Sequence, residues 1–375
     1  MEIKQIPPKG SVLMPYYNIT INAEQVSLSF NAADPGKTNT GKTNTGKNPE
    51  AADAGITSLA EAQVRALLRE KYTPYKITNL RLADAYQMTD LNYRANKAVR
   101  LATCARWLEF ALPPLGDDKR YKLVKTSSCH VRLCPVCQWR RSLNTFRNLA
   151  QVYDRLNLGY KHIFLTLTLP NVSAEELSAE LTRYSAGFVK MLRRKPFVDV
   201  IKGYTRALEI TYNPERKDYH PHLHAILSVP LSYGKKQYIS QEKFLQEWED
   251  ITGWVPAEHL NSRGEPTDLQ VNVKAIKSVD GKAIAELAKY SVKPADYIRP
   301  TLEDTAAIIQ ELDPAVDNRR FLAYGGVAKR VKREIFQDKN LEDIEADSLG
   351  NEWEDWERKV YEWHFSTEKY REITV

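Results

Sequence analysis

Three of the chain's seven histidines fall within five residues, in His220-Pro221-His222-Leu223-His224. In a β-strand, residues i and i+2 project to one face, so His222 and His224 would aim their imidazoles together while Leu223 points away. Two adjacent imidazoles can chelate one divalent cation and leave positions open for a phosphate oxygen. Glu209, on the stretch before, can add a hard oxygen ligand suited to Mg2+ or Mn2+. His220 competes with it as third ligand, and His162 is a more distant candidate. A second constellation lies downstream. Glu286, Tyr290 and Lys293 stand at i, i+4 and i+7, which a helix would place on one face. A tyrosine beside a carboxylate and an ammonium can be a nucleophile, if a cation favours the phenolate of a group whose pKa is ordinarily about 10. Lys293 can supply that cation. Such a face alone is ordinary solvated surface; it gains meaning beside the histidine pair. Tyr297 follows Pro294, which stops the helix, and is assigned to structure.

All four cysteines, Cys104, Cys129, Cys134 and Cys137, lie within 34 residues. Cys134-Pro-Val-Cys137 is a C-x2-C knuckle, and four thiolates so placed can converge on one tetrahedral Zn2+. Either Cys104 or His130 closes the shell. From Lys119 to Arg147 there are eight Lys or Arg and no Asp or Glu. Cationic neighbours favour thiolate over thiol and so favour a metal. A basic metal module suits a nucleic-acid backbone, with Arg132, Arg140, Arg141 and Arg147 as the candidate phosphate contacts.

These groups need elements to position them. His162–Leu169, Ala207–Thr211, His222–Val229 and Gln270–Ile276 are apolar, β-branched runs that read as strands, the middle two joined as a hairpin across the turn-rich 213–218. Ser173-Ala-Glu-Glu176 caps a helix with Leu177, Leu181, Tyr184 and Phe188 on one side. Residues 281–293 read as the helix carrying Glu286 and Tyr290, stopped by Pro294. This order predicts an α+β domain over 151–335, an antiparallel sheet with helices on one face. Residues 58–150 read as mainly helical, opened by a capping box at Ser58 and Glu61. Residues 1–57 hold a short strand around Val26–Phe30 and then a Gly-Lys-Thr-Asn-Thr repeat too polar to order itself. Gly36 to Thr43 fits a phosphate-loop spacing, but the repeat generates that spacing without the strand and helix such a loop requires. The tail, 336–375, carries 12 acids against 5 bases. There Trp353, Trp356, Val360 and Trp363 recur at helical spacing, so an acidic amphipathic helix is expected.

The chain has 375 residues, 42% hydrophobic, with net charge +6. That is ample for a core and excludes a disordered or disulfide-scaffold class. The mild positive charge permits a nucleic-acid partner without requiring one. No apolar run approaches the roughly 18–20 residues of a membrane span, and the first ten residues lack the apolar core of a secretory leader. A cytoplasmic protein with no membrane partner is expected.

Together the motifs resemble the HUH endonuclease superfamily. They look most like the rolling-circle plasmid replication initiators that use a single catalytic tyrosine with an accompanying glutamate. The family's first motif matches Phe164-Leu-Thr-Leu-Thr168, its His-hydrophobic-His motif matches His220–His224, and its tyrosine motif matches Glu286, Tyr290 and Lys293. The segment Cys129–Arg141 is similar to its zinc-finger-like element. The matches come in family order over roughly residues 100–330. The resemblance implies a ferredoxin-like or RNA-recognition-like antiparallel sheet with the histidine strand central, plus a mainly helical zinc-binding N-terminal region. It implies that a Mg2+ or Mn2+ held by His222 and His224 polarises a phosphate at the plasmid origin. Tyr290 would become linked to the 5′-phosphate, and the freed 3′-OH would prime host polymerase. Glu286 would activate water at termination. Origin DNA, a host helicase and polymerase are the implied partners, and a homodimer is open. An HUH transposase or relaxase is the alternative enzyme; a non-catalytic zinc DNA-binding regulator is the alternative of another class.

Overall fold

The computed structural model describes residues 58–89, 95–117, 119–234, 237–259, 263–266, 268–276, 279–289, 292–337 and 353–374, with the backbone of 17–20 and 29–32. The chain divides into two units, 1–53 and 54–375. In the first, β1 (Tyr17–Thr20) pairs antiparallel with β2 (Ser29–Ala32). The Gly-Lys-Thr-Asn-Thr repeat, the phosphate-loop match and Val26–Leu28 lie outside the described residues.

The second unit opens with helices. Ser58 caps α1 (Leu59–Leu67), its hydroxyl accepting from the Glu61 backbone N–H at 3.1 Å, as the capping pattern predicts. A wider turn, Leu68–Tyr72, leads into α2 (Thr73–Gln87), and α3 (Ala95–Thr103) follows. A hairpin of β3 (Trp107–Leu112) and β4 (Lys122–Thr126) then precedes the long α4 (Pro135–Leu156). The next elements are β5 (Tyr160–Thr168), α5 (Ala174–Arg193), the one-turn α6 (Phe197–Val200), β6 (Gly203–Asn213) and β7 (Asp218–Pro230). After them come α7 (Gln241–Thr252), β8 (Val271–Ile276), α8 (Gly281–Ala288), α9 (Pro294–Tyr297), α10 (Leu302–Val316), β9 (Leu322–Gly325) and α11 (Gly326–Phe336). The chain ends in β10 (Glu357–His364) and β11 (Lys369–Ile373).

Five strands form an antiparallel sheet in the order β8-β5-β7-β6-β9. The run β5-α5-β6-β7-α7-β8 with that order is the ferredoxin-like arrangement, with β9 added at one edge. The histidine strand, β7, is central, as expected. Helices cover both faces rather than one. The reason lies in the two-residue period of β7. Leu223, Ala225 and Leu227 join the large core with Leu177, Leu181 and Phe188 of α5 and Trp248 of α7. Ile226 faces the other way, into a second core with Leu149 and Tyr153 of α4, Ile284 and Leu287 of α8, and Val327 of α11. A strand apolar on both sides must be covered on both sides.

Two further expectations change. The tail is no helix: β10 and β11 form a hairpin, and β10 pairs with β3 to build a four-stranded sheet, β11-β10-β3-β4. Tyr361 and Trp363 are buried while their neighbours are not, a period of two. The tryptophan spacing imitates a helix only because Trp353 and Trp356 sit in the turn before the strand. The region 58–150, mainly helical, thus also contributes two strands to a sheet that the acidic tail completes. The helix expected over 281–293 ends at Ala288. Val292 bridges to Ile210 of β6, and Lys293 is extended (ψ 138°) ahead of Pro294, the conformation a following proline favours. Glu286 and Lys293 therefore do not share a helix face.

Candidate active site

The β7 ladder places the site. Glu209 lies opposite His222 on β6, and Thr168 opposite His222 on β5; Ala207 and Thr166 flank His224 in the same way. Directly opposed residues share a face, so Thr166, Thr168, Glu209, His222 and His224 all project to the side covered by α8. The Glu209 carboxylate lies 3.1 Å from His224 Nε2, and Thr166 Oγ1 lies 3.2 Å from His224 Nδ1. Near its end, α8 brings in Glu286, whose Oε1 is 4.0 Å from His224 Nε2. Glu209, His224 and Glu286 thus each present one ligand atom within 4.8 Å of the others. One imidazole and two carboxylates suit a divalent cation that takes oxygen and nitrogen ligands. Thr166 fits this use, because a hydroxyl can donate to Nδ1 or accept from it. When it accepts, Nε2 keeps its lone pair for a ligand bond.

His222 stands beside this trio, its ring stacked 6.1 Å from that of His224 at 15°. Burial, with His220 adding to it, pushes the His222 imidazole down to about 4, so it is neutral at pH 7 with a lone pair to offer. His220 packs edge-on against His222, ring centroids 4.3 Å apart, and its Nδ1 lies 2.6 Å from Asn171 Oδ1. Between the two candidates for third ligand, the geometry brings Glu209 to the cluster. Burial pushes the Glu209 carboxyl up, but the His224 contact and the Lys293 ammonium outweigh it and hold it at about 2. Lys293 Nζ lies 3.1 Å from Glu209, and Lys289 Nζ lies 2.5 Å from Glu286. Tyr290 lies outside the described residues. His162, at the far end of β5, is buried against Tyr153 and Ser228 and takes no part.

The cysteines form a separate, interior cluster. Cys104 follows α3, Cys129 follows β4, and Cys134 and Cys137 begin α4; all four are buried. Their sulfurs lie within 4.8 Å of one another, and three of the pairs stand at 3.6 Å. The edge of a tetrahedron with metal–sulfur bonds of about 2.3 Å is about 3.8 Å, so the set can hold a metal ion such as zinc. Cys104 completes it, while His130 is exposed. The surroundings also match. Cys134 Sγ accepts from the Cys137 backbone N–H at 3.3 Å and from Asn79 Nδ2 at 3.0 Å. Lys76, fully buried one helical turn before Asn79 on α2, donates to the carbonyls of Ala102 and Cys104, each at 2.6 Å. Asn79 and Lys76 lie far upstream of the basic segment, and the sequence signal that marks them is their place on the helix face shared with Leu82, Ala83 and Tyr86.

The four arginines divide. Arg140 is buried and donates to Ser128 Oγ at 3.0 Å. Arg132 lies over the Phe321 ring and donates to the Arg319 carbonyl. Arg141 is half-buried in a cleft lined by Ser142, Leu287 and Lys289, and Arg147 is exposed on α4.

Comparison with known proteins completes the picture. A family model described as a replication protein matches residues 120–371. A Protein rep of Bacillus amyloliquefaciens is 35% identical over 272 residues, covering 68% of this chain and 77% of that protein. A Protein rep of Staphylococcus aureus is 42% identical over 184 residues, 48% of this chain and 76% of the relative. A Protein rep of Lactiplantibacillus plantarum is 34% identical over 318 residues, 79% of this chain and 93% of the relative. No solved structure gives a significant match. Among the described residues, no helix is long and apolar enough to cross a membrane.

Proposed function

Because the chain belongs to the replication-protein family, we propose that it initiates plasmid replication by the rolling-circle route, nicking one strand at the double-strand origin. The observation that carries this reading is the convergence of Glu209, His224 and Glu286 at the end of the helix that leads to Tyr290. Glu209, His224 and His222 would hold a Mg2+ or Mn2+. That ion would supply charge neutralisation and polarisation of the scissile phosphate.

Tyr290 is the nucleophile. The phenol gives up its proton, its oxygen forms the new bond to phosphorus, the bond from phosphorus to the 3′ oxygen breaks, and that oxygen takes up a proton and leaves as the 3′-OH. The product is a 5′-phosphotyrosine and a primer for host polymerase. Lys293 supplies the positive charge that favours the phenolate. Glu286, held by Lys289 beside His224, takes the proton from the water that releases the strand at termination. The chemistry is in-line phosphoryl transfer, governed by positioning more than by intrinsic reactivity. For the cysteine cluster the ion is Zn2+, with a structural role. Origin DNA, presented single-stranded or extruded at the nick site, is the substrate, and a host helicase must open the duplex ahead of the primer. The family favours this reading over a transposase, a relaxase or a non-catalytic regulator. On this reading the protein works in the cytoplasm, where its plasmid is.

The test is a supercoiled, labelled plasmid carrying the origin, incubated with Mn2+. Wild type should yield nicked circle and a covalent protein–DNA adduct, and Tyr290→Phe neither. Glu286→Ala should nick but release poorly. Adduct at wild-type yield from Tyr290→Phe would overturn the nucleophile assignment.

A further inference from the structure

The segment that follows Tyr290 is tied down at both ends. At one end, Val292 is buried and bridged to Ile210 of β6, and Lys293 pairs with Glu209. At the other, Tyr297 is fully buried, and its hydroxyl donates to the Leu133 carbonyl and accepts from Gln138 Nε2 at 3.3 Å. Leu133 immediately precedes Cys134, and Gln138 immediately follows Cys137. Both partners of the hydroxyl are thus set by the C-x2-C knuckle. Just beyond, Arg81 donates to the Arg299 carbonyl at 2.7 Å from α2, the helix whose Asn79 reaches Cys134.

We propose that the cysteine cluster, when it holds its metal, acts as the anchor of the nucleophile segment, and that Tyr297 is the positioning residue that transmits it. This rests on the nicking reading above for what the segment does. Without an ion the four buried sulfurs have only weak thiol contacts to hold them together, so the knuckle depends on metal for its shape. Once the knuckle loosens, the Leu133 carbonyl and Gln138 amide leave a buried tyrosine hydroxyl unpaired, an unfavourable state the segment relieves by moving. Tyr297 stands only four positions after Lys293, so the movement reaches the Glu209 ion pair and the chain before it. In-line transfer tolerates little of this, since a misplacement of about 1 Å costs on the order of 100-fold in rate. The burial of all four sulfurs points the same way, because an interior cluster is placed to hold chain segments rather than to read DNA.

The experiment uses the full chain, Tyr297→Phe, and a zinc chelator. Tyr297→Phe deletes one hydroxyl and should keep its bound metal. Its kcat for nicking an origin oligonucleotide should fall by about 10-fold or more with KM unchanged. Hydrogen exchange over 292–297 should rise while β5 and β7 stay protected. Chelation of wild type should raise exchange in the same segment, and should add little in Tyr297→Phe. If the variant does not fold, chelation of wild type followed by exchange over 292–297 decides the matter alone. Wild-type kcat and exchange in Tyr297→Phe would overturn the proposal. So would chelation that weakens DNA binding yet leaves 292–297 protected, or that raises exchange equally throughout. Adduct formation by Tyr290→Phe would instead sink the nicking reading and leave the exchange linkage standing.

Discussion

Lys293 reaches Glu209 at 3.1 Å although no common helix carries it toward the site. The pair has consequences for metal. Burial works against the Lys293 charge, but Glu209 more than restores it, so the ammonium is firmly held. A fixed positive charge against a ligand carboxylate repels an incoming divalent cation. Lys293→Met should therefore lower the Mn2+ concentration for half-maximal nicking by about fivefold, as fits a partly exposed charge worth about 1 kcal/mol. The maximal rate should fall as well, because the phenolate loses its cation. A Mn2+ titration of nicking rate measures both, and a half-maximal Mn2+ concentration that stays the same or rises, with an unchanged maximal rate, would contradict the assignment.

Thr166 is the second lever. Its hydroxyl, 3.2 Å from His224 Nδ1, orients the ring with Nε2 toward Glu209. Thr166→Val keeps the β-branched shape and removes that bond. Groups that orient a metal-bound histidine are worth roughly 10–100-fold in affinity. The variant should need correspondingly more Mn2+ and recover most of its rate at saturation. Failure to recover at any Mn2+ concentration would mean that Thr166 acts on the DNA instead.

The sheet and the histidine strand were legible because the two-residue period survives in the letters: Leu223 and Leu227 against His222 and Ile226. The convergence of Glu209 with His224 was legible for the same reason. The end of α8 was not. Residues 281–293 are good helix formers, yet the helix stops at Ala288, and Val292 is buried and bridged to Ile210 of β6, a partner the local sequence does not announce. The tail misled in the opposite direction. Trp353 and Trp356 add helical spacing from a turn, while the pairing that makes a strand of Glu357–His364 comes from β3, some 250 residues earlier in the chain. The burial of Arg140 was invisible as well, since in the letters it is simply one more charge in a basic run.

Metal at the cysteines can be tested apart from activity. Lys76 is buried with its ammonium on two carbonyls, beside four sulfurs. Burial pulls it down to about 8, while thiolate charge on Cys104, Cys134 and Cys129 pushes it back. A tetrathiolate centre around a divalent ion carries net negative charge, and Lys76 compensates part of it. Purified protein should contain one zinc per chain by elemental analysis. Lys76→Met should release it to a chelator at least about 10-fold more readily. Equal release rates would leave Lys76 as a helix-docking group only.

His162 should give the fold an acid sensitivity of its own. It is buried on β5, with Nδ1 3.3 Å from Ser228 Oγ and its ring edge-on to Tyr153 at 5.4 Å, and burial pushes it down to about 4. Unfolded, the same imidazole titrates near 6.5. Between those values the unfolded chain takes up a proton that the folded chain refuses. Stability is therefore whole above about pH 6.5 and declines as the pH falls toward 4, by roughly 2–3 kcal/mol from this group. Urea unfolding at pH 7.5 and pH 5 measures the loss. His162→Phe should shrink the difference between the two pH values, leaving the part contributed by other groups such as His222. An unchanged difference in that variant would show that His162 does not carry the effect.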